Sequence, residues 1–507
     1  MRRSTGTSRV TGPSCSQAAT HEWRLSHRLE PVFTCGATRP GVAAITKIAG
    51  NQPDDGTSRG ARDLANEIGS RREETVVEDI ERATIRTVAW RLLPLVFLLY
   101  LLSLVDRVNL GFAALTMNKD LGLTPYTYSL GVAAFFIGYI PCEVPSNLIL
   151  ERIGARRWIG RIAITWGIAA SAMALVSGEN SFLLVRFLLG VAEAGLFPGM
   201  LLYLTYWFPR AYRARVNAAL VLAIPASGAI GAPVATSLLE LNGVFGLEGW
   251  KWMFLLEGIP TVLMGFVVLR LLTDRPAKAI WLPPENRAWL EATMQRERAS
   301  VEAVHSQLSV WRGLVDPRVL LLCFTYFAFG TISYSMGYFL PLIVKGWGVS
   351  NFQVGWIVAV PSVVGIFAMI TGNYFADRVE DKRLMLSATM ILCAIGWTGM
   401  GIYATSAWAL IAVTLVEIGI GIARPMFWTV PPLFLSGAAL AGVMALISVF
   451  ANFGGIIGPV VIGWLKTTTN SFSGGLYYVA CCAFVSAVAV LTLRTAPRVS
   501  AQLGRGR

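Results

Sequence analysis

Four charged side chains inside long apolar runs have the clearest potential for chemistry in this sequence. Asp106 and Arg107 are adjacent within 92–114, and Arg186 and Glu193 are seven residues apart in a later run. A charged side chain near a bilayer centre costs about 2.5–3.5 kcal/mol on insertion scales. The first pair falls about 21 Å into its run, in the middle region of a ~30 Å hydrocarbon core. We therefore interpret these residues as functional, with a structural ion pair as the alternative.

The two members of the first pair suit different chemical roles, proton exchange and the binding of a carboxylate. A buried carboxyl whose charge is balanced by nearby cations can be tuned to bind and release a proton. The Arg107 guanidinium keeps its proton, and its planar fork suits a carboxylate. We predict that Arg107 holds a substrate carboxylate and that Asp106 is a proton-coupling residue. Neighbouring helical residues point about 100° apart, so the two cannot face the same partner.

The second pair, Arg186 and Glu193, lies on one face of a predicted helix, about 10 Å apart along its axis. The two cannot pair with each other but can reach a shared partner. A functional pair and charges that only pack helices are the two interpretations of this spacing. Two acids and two bases leave a net charge near zero, which an anion entering with a proton would preserve.

The composition predicts an all-α, polytopic membrane protein. Of 507 residues, 54% are apolar and 14% charged, whereas soluble proteins average about 25% charged. We attribute the formal charge of +13 to Lys and Arg in the loops, which set membrane topology, and not to a nucleic-acid-binding surface. The sequence has no nucleophile–base set, nucleotide loop, metal-ligand spacing or disulfide framework, and its three His lie outside the apolar runs. We expect no enzyme activity, no cofactor and no metal.

Hydropathy predicts twelve transmembrane helices in two six-helix halves. The predicted spans are 92–114, 128–150, 158–177, 181–207, 216–240, 252–272, 318–341, 352–375, 384–404, 407–434, 439–465 and 475–494. The loops after the second, fourth and eighth spans hold most of the Arg and Lys, which predicts that they and both termini are cytoplasmic. We predict a disordered extension over 1–80 (a targeting or regulatory tail is the alternative), bundles over 81–272 and 318–495, a linker over 273–317 and a tail over 496–507.

The two halves repeat at a constant offset of 226 residues. Nine residue pairs match at this offset without a gap, among them Gly122 with Gly348 and Thr124 with Ser350. Halves related by an axis along the membrane normal are typical of one large transporter architecture, with the binding site at midplane between them.

Several motifs resemble the major facilitator superfamily, and more narrowly its anion:cation symporter family. They are 105–109 in the first span, EVPSNLILERIGARRWI, RFLLGVAEAGLFPG and GWKWMFLLEGIP. The loop motif departs from the superfamily pattern at Asn147 and Glu151, where Gly and Asp are usual. The resemblance implies that the first-span Asp–Arg pair and the fourth-span Arg and Glu take part in proton coupling and anion handling. On this basis we predict proton coupling for Glu193 and substrate binding for Arg186. That family carries sugar acids, tartrate and phthalate in bacteria.

Weaker candidates complete the predicted site. Tyr139, Asn452 and Ser333 are predicted to line the substrate site. The resemblance implies a gating role, bridging helices at the cytoplasmic mouth in the outward-facing state, for Glu151, Arg152, Arg156, Asp377, Arg378 and Lys382. The alternative for these charges is plain topological anchoring.

The leading prediction is proton-coupled uptake of a small organic anion by alternating access. The alternatives are an exchanger or exporter of a hydrophobic compound, or a transporter-like sensor. We expect a monomer in the lipid bilayer, in a bacterial inner membrane, whose partners are an organic anion and a proton.

Overall fold

We describe residues 57–304, 316–376, 378–379, 381–431 and 437–493 of the protein from a computed structural model. The helices of these ranges are α1 Thr57–Asp120, α2 Pro125–Ile153, α3 Ala155–Ala172, α4 Glu179–Glu193, α5 Leu196–Thr205, α6 Arg210–Val221, α7 Ala223–Leu239, α8 Gly249–Leu271, α9 Pro284–Val304, α10 Pro317–Lys345, α11 Asn351–Ala376, α12 Lys382–Ile402, α13 Ala409–Phe427, α14 Gly437–Thr469 and α15 Ser473–Thr492. Within these ranges twelve segments are long and apolar enough to cross a membrane, which confirms the predicted number. α4 with α5, and α6 with α7, each make one span, and α9 lies in the linker between the halves.

The prediction of disorder over 1–80 is wrong for its last part, because α1 begins at Thr57. The segment 57–80 is rich in Arg and Glu and contains no proline, which favours helix. Residues 1–56 and 494–507 lie outside the described residues. Contacts divide the chain into units Met1–Arg72 and Glu73–Arg507, and the apolar part of α1, Thr75–Asp120, belongs to the second.

The internal repeat is confirmed in the first loop of each half. Gly122 and Gly348 both have positive φ, 66° and 84°. Two residues later, the Thr124 hydroxyl accepts from the backbone N–H of Thr127, and the Ser350 hydroxyl accepts from that of Gln353. Both helices therefore begin with the same N-terminal cap at the same offset.

The two ends of the bundle differ in charge. We call the end that carries Arg156, Arg213 and Arg378 the basic end, and the end that carries Gly122 and Gly348 the neutral end. At the basic end the linker between the halves packs against the first half. There Trp281 stacks on Trp207 at 5.5 Å, and the guanidinium of Arg213 pairs with Glu297 of α9 at 3.0 Å.

The two halves contact each other from the middle of the bundle to the neutral end. The Tyr128 hydroxyl of α2 donates to the Tyr338 carbonyl of α10 at 3.1 Å. Gly111 of α1 packs on Gly337, where an added Cβ would lie 2.3 Å from the Gly337 carbonyl oxygen. Such small residues let helices approach closely within a membrane.

The fourth span is broken directly after Glu193, at Gly195. Gly195 has a φ of +84°, and Pro198, three residues on, lacks the N–H that a continuous helix would bond. An added Cβ at Gly195 would lie 2.4 Å from the Ser146 hydroxyl of α2. The prediction of one continuous helix over 181–207 is therefore wrong at this point, and the break places Glu193 at a helix end.

We expect the Gly195→Ala substitution to destabilise the protein by about 2–4 kcal/mol, because it adds left-handed backbone strain to an overlap with Ser146. Gly474→Ala is the matched control, since its nearest neighbour would lie 3.7 Å away, an ordinary contact. Thermal unfolding in detergent checks both variants. An unchanged midpoint for Gly195→Ala would contradict the close packing at the break.

Candidate substrate and proton site

The centre of the site is an ion pair between α1 and α4. The Arg107 Nη2 lies 2.7 Å and its Nε 2.8 Å from the same oxygen, Oε1 of Glu193. The Glu193 side chain is fully buried, whereas 14% of the Arg107 side chain is exposed. Glu193 Oε2 is buried without a hydrogen-bond partner among the described residues. The structure thus pairs Arg107 with an acid 86 residues away instead of with its neighbour Asp106.

Aromatic side chains surround the Arg107 guanidinium. It lies 5.3 Å from the ring centroid of Phe135 and 5.1 Å from that of Tyr139, both on α2. Its Nη1 donates to the Tyr334 hydroxyl of the second half at 3.5 Å. Rings placed over a guanidinium stabilise its charge while it is partly desolvated. Tyr139 therefore lies beside Arg107, with Tyr334 from the other half, and its contact with a substrate stays a prediction.

Arg186 lies deeper in the same cluster. Its guanidinium is 5.1 Å from the centroid of Phe135, so it shares that ring with Arg107. Its Nε donates to the Gly131 carbonyl at 3.2 Å, and its Nη2 is buried without a partner among the described residues. The structure therefore brings Arg186 to the predicted site but not to a described carboxylate within ion-pair distance.

Asp106 faces the interior of the first half. Its Oδ2 accepts from the Trp166 indole N–H of α3 at 2.5 Å, and its Oδ1 accepts from the Asn109 amide at 3.1 Å. The same Asn109 nitrogen donates to Glu257 of α8 at 2.6 Å. The Asp106 carboxylate is thus bonded by two neutral donors, Trp166 and Asn109, and not by the Arg107 guanidinium.

Glu257 is the functional candidate that sequence reasoning missed. It is the single acid in the sequence of α8, and nothing in its sequence neighbourhood pairs it with an arginine. The first half therefore buries three carboxyls, Asp106, Glu193 and Glu257, against the two guanidiniums of Arg107 and Arg186. The expectation of two acids and two bases is corrected. These five groups are balanced in charge when one carboxyl is protonated. Among the three carboxyls, Glu257 is the one whose described hydrogen bond comes only from an amide.

We expect Glu257→Gln to keep the stability of the protein within about 1 kcal/mol, because an amide replaces a neutral acid of the same shape. Glu257→Ala removes the partner of Asn109 and is expected to cost about 1–3 kcal/mol more. Thermal unfolding of the two variants, measured side by side, checks this. Equal losses from both would show that the hydrogen bond from Asn109 contributes nothing to stability.

Two polar contacts extend the site into the second half. The Arg424 guanidinium of α13 donates to the Ser333 hydroxyl of α10 at 2.7 Å. The Asn452 amide of α14 donates to Glu143 of α2 at 3.4 Å. Ser333 and Asn452 thus lie on elements that face the first half, as predicted for lining residues, and their contact with a substrate stays a prediction.

The predicted gating residues lie at the basic end. Arg156 bonds within its own half, to the Leu269 carbonyl through its side chain and to Asp274 through its backbone N–H. Arg378 bonds to the Tyr374 hydroxyl. Glu151 and Arg152 are exposed at the end of α2, and Lys382 begins α12. Asp377 lies outside the described residues, so the bridging role stays a prediction.

At the start of α12, the side chain of Arg383 bonds both oxygens of Asp381 at 3.0 Å and holds the pKa of that carboxyl below its usual range. This pair caps the helix next to Lys382.

With fold and site described, the chain can be compared with known proteins. Residues 96–444 match the model of the Major Facilitator Superfamily, with a second match over 322–507. The chain belongs to the major facilitator superfamily, and it is a multi-pass membrane transporter, not an enzyme.

Individual relatives bear this out. A protein of Agrobacterium vitis named "Putative tartrate transporter" is 47% identical over 422 residues, which cover 83% of this chain and 96% of that protein. The "Quinolone resistance transporter" of Acinetobacter baumannii is 38% identical, over 79% of this chain and 93% of that protein. The structure of a bacterial homologue of the human lysosomal transporter Spinster, inward-facing and unoccupied, superposes with a TM-score of 0.65 at 16% identity. It covers 82% of this chain and 99% of that chain, and shares the fold.

Proposed function

We propose that the protein takes up a small organic anion together with protons, as a member of the anion:cation symporter family. The observation that carries the proposal is the Arg107–Glu193 pair, a buried acid bonded to a guanidinium that keeps 14% of its side chain exposed. The named relative from Agrobacterium vitis supports a carboxylate such as tartrate as the substrate.

The coupling follows from competition for Arg107. A substrate carboxylate that reaches the exposed side of the guanidinium replaces Glu193 as its partner. Glu193 then loses the cation that bonds it, and an unpaired charge at a buried site is strongly unfavourable. A proton neutralises it, and its Oε2, unpartnered among the described residues, is the open position on that carboxyl. Binding of the anion therefore draws in a proton at this acid, while Arg186 and Asp106 balance the charge behind it.

The closed neutral end supports alternating access as the transport mechanism. The halves meet around Phe136 and Tyr334, whose rings lie 4.6 Å apart, and continue to meet toward the neutral end. With the basic loops placed in the cytoplasm of a bacterial inner membrane, closure at the neutral end would correspond to an inward-facing state. The charged residues at the basic end, from Glu151 and Arg156 to Arg378, would bridge the halves when the molecule opens outward.

The quinolone-resistance relative favours one alternative, the export of a hydrophobic compound. The buried guanidinium of Arg186 and the partly buried one of Arg107 favour an anion instead, because their desolvation is offset by a negatively charged ligand. Proteoliposomes distinguish the two. We expect accumulation of labelled tartrate that depends on an acidic exterior. Equal uptake with and without the pH gradient would refute proton coupling, and quinolone transport without anion uptake would favour the exporter.

A further inference from the structure

A second partly exposed arginine, Arg424, lies close to the substrate site and has no role in the coupling described above. It lies near the end of α13, where Pro425 follows, and it donates one hydrogen bond to Ser333 at 2.7 Å. A guanidinium carries five N–H donors, so several remain for a ligand.

Ser333 and Tyr334 connect this arginine with Arg107. The Ser333 hydroxyl accepts from Arg424, and the hydroxyl of the next residue, Tyr334, accepts from Arg107. Consecutive Cα atoms are about 3.8 Å apart and their side chains point about 100° apart, so arginines from opposite halves approach α10 at the same level from adjacent sides. The phenol of Tyr100 on α1 also interacts electrostatically with both guanidiniums. The two positive charges therefore flank one region between the halves.

The charge of Arg424 is not used in an ion pair within the described residues. The acid on its own helix, Glu417, is seven residues earlier, about 10 Å along the axis. The Glu417 carboxyl lies against α11, where a Cβ added to Gly365 would be 2.9 Å from its Oε2. Arg107 must leave the Glu193 carboxylate before it binds an anion. Arg424 has only the neutral Ser333 hydroxyl as its described partner, so it can bind an anion without breaking an ion pair.

We propose that Arg424 and Ser333 form a second carboxylate site and that the substrate is a short dicarboxylate, held at one end by Arg107 and at the other by Arg424. The inference rests on the proposed function, because it takes Arg107 as the first site. Each carboxylate meets a planar fork of donors, the geometry that guanidinium–carboxylate recognition favours. A ligand that contacts both halves stabilises the state in which they are closed around it.

The test compares Arg424→Gln with the wild type, using two probes that differ in one charge: L-tartrate and its monoamide. The wild type is expected to bind tartrate more tightly than the monoamide. Loss of one charge-assisted pair is expected to weaken tartrate binding about 10- to 100-fold and to leave monoamide binding unchanged. Thermal shift of the purified full-length protein gives both affinities. Arg270→Gln, an exposed arginine at the end of α8, is the matched control.

Equal weakening of both probes in Arg424→Gln, or weakening of neither, would overturn the second site. Ser333→Ala removes the hydroxyl that orients Arg424 but keeps the charge, so a smaller loss confined to tartrate is expected. This variant also serves if Arg424→Gln does not fold. If the wild type binds and transports no organic anion, the proposed function fails. If it transports tartrate but Arg424→Gln does not discriminate, only the dicarboxylate inference fails.

Discussion

Replacing Arg107 by Gln is expected to reduce anion uptake about 100-fold or more, because truncation of one partner in a buried charged contact costs about 2–5 kcal/mol. The glutamine has no positive charge for a substrate carboxylate and leaves Glu193 without the cation that bonds it. Initial rates of labelled tartrate uptake in proteoliposomes measure the loss. Arg107→Lys keeps the charge without the fork and should retain part of the activity.

Arg107→Gln could also lose activity because the unpaired Glu193 destabilises the protein. The double variant Arg107→Gln with Glu193→Gln distinguishes this effect from loss of substrate binding. The double variant lacks both charges of the pair and is expected to recover the thermal stability lost by Arg107→Gln, without recovering uptake. Normal uptake by either variant would show that Arg107 does not hold the substrate.

Replacing Glu193 by Gln is expected to uncouple transport while preserving exchange. The substituted amide stays neutral throughout, so it competes more weakly for Arg107, and anion affinity should rise several-fold. Exchange of labelled for unlabelled anion across the membrane needs no net proton movement and should persist. Accumulation driven by an acidic exterior should fall at least about 10-fold, since the site no longer takes up a proton there.

Glu240→Gln is the control for this experiment, because Glu240 is exposed at the end of α7 and far from the ion pair. It should accumulate anion as the wild type does. Wild-type accumulation by Glu193→Gln would move proton coupling away from Glu193 and leave Asp106 as the remaining predicted coupling residue.

Features that depend on residues close together along the chain can be predicted from this sequence, whereas contacts between distant spans cannot. Twelve spans follow from segment length and hydropathy, which are local properties set by bilayer thickness. The free-energy cost of placing Asp106, Arg107, Arg186 and Glu193 in a bilayer also singles out these four residues, and their roles stay predictions. The paired caps at Thr124 and Ser350 follow from the repeat, since both halves begin a helix with the same chemistry.

Partner choice could not be predicted from the sequence. The bond from Arg107 to Glu193 depends on how α1 and α4 pack, and the amide of Asn109 bonds Glu257 from 148 residues away. The sequence does not single out Glu257, because no arginine lies near it along the chain. The break at Gly195 likewise depends on the approach of Ser146, a contact between spans that periodicity does not reveal.

The central claim is that an anion displaces Glu193 from Arg107 and that a proton follows. Calorimetric titration of the purified protein with tartrate, in buffers of different ionisation enthalpy, counts the protons taken up per anion bound. The wild type is expected to take up about one proton per anion, and Glu193→Gln none, at a pH where the free carboxylates are ionised. Binding of tartrate by the wild type without proton uptake would contradict the account.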